Sequence, residues 1–67
     1  MKLIDSKLME HPDKRLNTWI TDSEADVKPG FDADSYEGSM IVCIDTKAVY
    51  MKNSAGKWQK FGSTEVV

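Results

Sequence analysis

This chain has one cysteine, one histidine, two prolines and no long apolar run. Each scarcity removes a class of protein. Cys43 has no second cysteine to pair with, so a disulfide scaffold is excluded. Cys43 and His11 together supply too few ligands for a zinc site of the usual Cys/His type. No segment approaches the ~20 apolar residues that span a bilayer, so no membrane partner is expected. The opening MKLIDSKLMEHPDK lacks the apolar core of a signal peptide. A lone thiol also suits a reducing compartment, and together these lead to the expectation of a protein made in the cytoplasm and not secreted.

What is present is short and unevenly charged. At 67 residues there is room for one small domain, 1–67, with a thin core. Ordering a chain of this length costs on the order of 100 kcal/mol, which burial only roughly balances. With disulfide and zinc removed, association with other chains is the expected aid. The net charge is −2. Asp22, Glu24, Asp26, Asp32, Asp34 and Glu37 crowd the middle with only Lys28 among them, whereas Lys47, Lys52, Lys57 and Lys60 follow. Such asymmetry either steers partners or simply forms two solvated surfaces.

Composition divides the chain into three regions. In the first, Ile4, Leu8 and Met9 suit a helical turn or two, and Pro12 blocks continuation while biasing His11 away from helix. Residues 1–13 therefore read as an arm, a strand or a short helix. Thr18, Trp19, Ile20 and Thr21 favour a pleated surface, which predicts a strand over 16–21. Residues 22–39 (DSEADVKPGFDADSYEGS) have no sustained period and carry a Pro29-Gly30 turn, so they read as a long acidic loop. Val27, Phe31 and Tyr36 are its candidate anchors.

The third region predicts a three-stranded antiparallel meander over about 40–45, 48–52 and 57–61. Asp45-Thr46-Lys47 suits the first turn. Asn53-Ser54-Ala55-Gly56 suits a type I turn with a bulge, which wants a positive φ at Gly56. The expected fold class is thus mainly β, a small antiparallel sheet with an earlier strand near 16–21. Alternation puts Met40, Val42 and Ile44 on one face and Ile41 and Cys43 on the other. An apolar run on both faces implies that both are covered. The expected core is Trp19, Val42, Ile44, Val49, Met51 and Trp58. Ile41, Cys43 and Tyr50 on the second face, with Leu3, Ile4 and Leu8 on the arm, are the expected partner contacts. Cover of that face by the 22–39 loop is the competing reading. On the contact reading, Ile41→Asp abolishes assembly and leaves a soluble chain.

Other chemistries fare less well. Asp32, Asp34 and Glu37 suggest calcium, but Tyr36 sits where a ligand is wanted and the closing glutamate of a calcium loop is missing. His11, Asp13 and Cys43 would need a coincidence of packing to form a catalytic group, and a thiol in the middle of an apolar strand is ordinarily inert. No catalytic residue, cofactor or metal is therefore expected, and the chain reads as a non-enzyme. Trp19, Tyr50, Trp58 and Phe61 beside Lys52, Lys57 and Lys60 would suit single-stranded nucleic acid, but the acidic balance argues against it. The same aromatics would suit sugar stacking if at least two were exposed and coplanar.

The run Gly38-Ser39, then Ile44-Asp45-Thr46, then Val49-Tyr50-Met51, a polar turn and Trp58 resembles a hairpin that recurs in short structural proteins of tailed bacteriophages and prophages. It covers about a third of the chain and departs at Lys47, where that pattern often has glycine. The resemblance implies a virion structural or accessory protein, decorating the capsid or placed at the head–tail region. It would be made in the host bacterial cytoplasm and would bind capsid or connector subunits, copies of itself, or both. The alternative is a phage-encoded soluble inhibitor that enters a basic cleft of a host protein through Asp32, Asp34 and Glu37. Neutralising those acids would then abolish a salt-dependent affinity.

Overall fold

The computed structural model describes residues 1–10 and 13–67. The protein is mainly β, as its composition implies. Strands β1 (Lys2–Met9), β2 (Lys14–Thr21), β3 (Met40–Cys43), β4 (Val49–Lys52) and β5 (Trp58–Lys60) form one sheet in chain order. A single 3-10 turn, Glu24–Asp26, interrupts the long loop, with the Ser23 hydroxyl accepting from the Ala25 N–H at its start.

The meander lies where alternation placed it, with shorter strands. Its second turn is closed by Asn53, whose side-chain carbonyl accepts from the N–H groups of Ala55 and Lys57, and Gly56 takes a φ of 78°. In the first turn Lys47 adopts a φ of 59°, the left-handed conformation that costs a side chain roughly 1–2 kcal/mol. The departure from glycine at this position therefore keeps the glycine-like backbone.

One expectation is narrowed and one corrected. Of the arm, strand and short helix left open for the N-terminal region, the strand is formed. Residues Lys2–Met9 pair antiparallel with β2, which itself begins at Lys14, and a β-bulge falls between Leu3 and Asp5. The spacing of Ile4 and Leu8 fits helix and strand equally, and a partner strand decides it. The helix stop expected at His11 and Pro12 lies outside the described residues. The sheet is also mixed and not wholly antiparallel. Thr18–Thr21 run parallel to Met40–Cys43, flanked by antiparallel pairs. Parallel neighbours cannot be joined by a tight hairpin and need a crossover of about a dozen residues or more. Residues 22–39 are that crossover.

The crossover settles which face is core. Ile41 and Cys43 are fully buried, and with Val27, Ala48, Tyr50 and Trp58 they form the buried cluster, against which Trp19, Phe31 and Val67 pack. Ile41, Cys43 and Tyr50 are therefore interior, and the expectation that they contact a partner is corrected. The loop, anchored by Val27 and Phe31, covers them. Of the expected core, only the two tryptophans join this cluster. Register explains the error: Lys52 stands opposite Trp58, so Trp58 shares the face of Tyr50 and not that of Val49 and Met51. A lysine beside Tyr50 makes this face look polar in sequence, yet Lys52 is only 4% exposed.

Ile41→Asp is accordingly expected to unfold the chain. A domain of this length has about 3–10 kcal/mol of stability, and even Ile41→Ala removes about 2–5 kcal/mol. Loss of the far-ultraviolet circular dichroism of the Asp variant, and a lowered urea midpoint for the Ala variant, check this. A folded Asp variant would return Ile41 to the surface.

Candidate functional site

The acids of the crossover act first as fasteners. Glu24 accepts hydrogen bonds from the Thr46 hydroxyl (2.5 Å), the Tyr50 hydroxyl (2.5 Å) and the Lys60 ammonium (3.1 Å), while its own N–H donates to Asp45 (3.0 Å). One residue thus ties the loop to the β3–β4 turn, to β4 and to β5. The two hydroxyls, then Lys60, hold its carboxyl down to about 2 against an ordinary 4.5. The same bond, with burial, pushes the Tyr50 phenol above its usual value.

Asp32 fastens the other end. Its carboxylate accepts from the Asn17 amide (2.9 Å) and the Trp19 indole (2.7 Å), and its carbonyl accepts from the Lys52 ammonium (2.6 Å). Lys52 also donates to the Ser35 carbonyl at 3.3 Å and lies 5.3 Å from the centre of the Trp58 ring. Burial lowers its pKa, and the negative charge of Asp32 acts the other way. Carbonyls and an aromatic face thus solvate a cation inside the domain. Phe31 sits between the two tryptophans, edge-on to Trp19 at 5.0 Å and tilted to Trp58 at 6.3 Å, and its carbonyl accepts from the Trp58 indole.

The Gly38-Ser39 pair ends the crossover. Gly38 has a φ of 96°, and a side chain there would crowd Leu16. The buried Ser39 hydroxyl accepts from the Asn17 N–H (3.0 Å) and donates to the Tyr36 carbonyl (2.8 Å). These two positions serve the fold, a role that the hairpin pattern alone does not reveal.

The expected site residues therefore separate. Leu3, Ile4 and Leu8 are exposed on β1, which among the described residues has no strand on its outer side. Asp34 and Glu37 are exposed, whereas Asp32 is half-buried with its carboxylate taken up by Asn17 and Trp19. Cys43 is enclosed, and burial raises its thiol pKa, which opposes nucleophilic chemistry. Of Trp19, Tyr50, Trp58 and Phe61, only Phe61 is exposed, so they form no stacking platform. Among the described residues no three His, Cys, Asp or Glu side chains gather as a metal site.

The surface feature that sequence reading missed is the opposite face of the sheet. Thr18, Met40, Met51 and Gln59 form one row across it, and Ile20, Val42 and Val49 the next. None belongs to the buried cluster; Met51 is exposed, and Ile44, just beyond β3, is 50% exposed. The alternation of β3 signalled two apolar faces but not which of them the loop would cover. Comparison with known proteins finds no matching family model, no matching curated protein and no matching solved structure.

Two predictions follow from the fasteners. The stability that Glu24 contributes is present above pH 4.5 and is lost as pH falls through about 2. Urea titrations between those limits should show this loss in the native protein and a flatter pH profile in Glu24→Gln; equal profiles would remove Glu24 from that role. Asp32→Asn keeps a residue that tolerates positive φ and should cost about 1–2 kcal/mol, against less than about 0.5 kcal/mol for Asp34→Asn or Glu37→Gln. Equal costs in urea unfolding would mean that Asp32 is as solvated as its neighbours.

Proposed function

We propose that the protein is a non-enzymatic structural or accessory subunit of a tailed-phage particle, acting through protein–protein contacts at the capsid or the head–tail region. The observation that carries the subunit part is the apolar face of the sheet outside the buried cluster, where Met51 and Ile44 are exposed and Ile20, Met40, Val42 and Val49 beside them are half-buried. Apolar side chains gathered on a part-exposed face of so small a domain suit contact with another protein. Its occupant on this reading is an apolar surface of a capsid or connector subunit. The phage part rests on the resemblance of the Gly38–Trp58 hairpin. The alternative of an inhibitor acting through an acidic loop is left with Asp34 and Glu37, since Asp32 is engaged internally.

The test has two stages. Mass spectrometry of purified particles from the encoding phage or prophage should find the chain in them. Ile44→Lys and Met51→Lys should then leave the unfolding midpoint nearly unchanged, within about 0.5 kcal/mol, and should remove the chain from the particles. A chain found only in the soluble host fraction would overturn the virion reading. Incorporation unaffected by both lysines would overturn the bare face as the contact.

A further inference from the structure

The sheet has two edges, and they are treated differently. Beyond β5 the chain returns: Trp58 and Val67 exchange two backbone hydrogen bonds, and the Lys60 N–H donates to the Glu65 carbonyl. That edge is occupied. At the other edge β1 contacts β2 alone, and no backbone hydrogen bond outside that pair involves Lys2–Met9 among the described residues. An eight-residue strand thus presents its outer N–H and C=O groups unpaired.

The order of residues on β1 is self-complementary when the strand is laid antiparallel against a copy of itself. With Ser6 opposite Ser6 of the copy, Asp5 meets Lys7, Ile4 meets Leu8, Leu3 meets Met9, and Lys2 meets Glu10 just past the strand end. Every charge finds its opposite and every apolar side chain an apolar one. Neighbouring registers fail. A shift of one position sets Ile4 against Lys7 or Asp5 against Leu8, and a shift of two sets Asp5 against Asp5 or Lys7 against Lys7. Lysines on an edge strand ordinarily discourage pairing, but here the one matched register gives each a carboxylate. Among the described residues neither Asp5 nor Lys7 has an ion-pair partner within the chain, and Ile4 and Leu8 are each about half exposed.

We infer that β1 is a self-association edge, through which two copies join antiparallel about a two-fold axis at Ser6 to form one ten-stranded sheet. The bulge leaves Ile4 without a partner in β2, so the regular ladder is centred on Asp5–Lys7. The pairing deepens the reading of the protein as an assembling subunit by naming a second copy as one partner. It leaves the bare face free, so both contacts can form in one assembly.

Charge exchange tests the register. In sedimentation equilibrium the native protein should show a monomer–dimer equilibrium. Asp5→Lys alone or Lys7→Asp alone places like charges at two symmetric positions and should weaken the dimer about tenfold or more. The double exchange, Asp5→Lys with Lys7→Asp, restores both pairs and should return the affinity to within about threefold. Both sites are exposed, and circular dichroism verifies folding of each variant. As an independent readout, directly opposed residues lie about 4.5–5.5 Å apart at Cα, within disulfide reach. Ser6→Cys should therefore oxidise to a covalent dimer, whereas Leu8→Cys, facing Ile4, should not.

A native protein that stays monomeric to about 1 mM, a dimer indifferent to the exchanges, or a double variant no better than the singles would each overturn the pairing. A folded monomer that still enters particles would overturn it while sparing the subunit reading. A dimer rescued by the double exchange but missing from particles would uphold the pairing and overturn the virion assignment.

Discussion

Because β2 and β3 lie side by side and parallel, the chain must travel the length of the sheet to connect them. That requirement organises the molecule. The returning segment has to cross one face, and the face it crosses becomes the interior. Val27 and Phe31 then lie over Ile41, Tyr50 and Trp58, and the opposite rows are left outside the core, half-buried apart from the exposed Met51. One connection thus provides the core and leaves a second apolar face outside it.

A crossover without a helix must be held by other means, and here polar groups do it. Glu24 gathers two hydroxyls and an ammonium at one end; Asp32 gathers an indole and an amide at the other. The buried Lys52 ammonium joins the middle of the loop to β4 through two carbonyls. These bonds are charge-assisted and partly shielded from water, so each is worth more than a neutral surface contact. The acidity of residues 22–39 thereby serves the closing of a thin core as much as the surface. Asp34 and Glu37 remain available to solvent or a partner.

The surfaces left over have complementary properties. The second face is apolar and part-exposed. The β1 edge is directional, since backbone ladders impose a register and the Asp5–Lys7 arrangement favours one. On the proposed reading, contacts at both would supply what the thin core does not.

Much of the architecture was legible in the sequence. Apolar alternation and the Asn53–Gly56 turn marked the meander, Thr18–Thr21 marked β2, and the lack of a sustained period in 22–39 marked the crossover as irregular. These are local signals, carried by residues near one another in the chain. Ile4 and Leu8 are exposed, but the choice among arm, strand and helix stayed open in the sequence, because their spacing suits helix and sheet alike until β2 lies beside them. The identity of the core face was decided only by tertiary structure. Alternation separates Ile41 from Val42 but has no means to rank them. A distant loop makes that choice, and it does so through Asp32 and Lys52, two charged residues whose burial depends on partners 15 and 20 positions away.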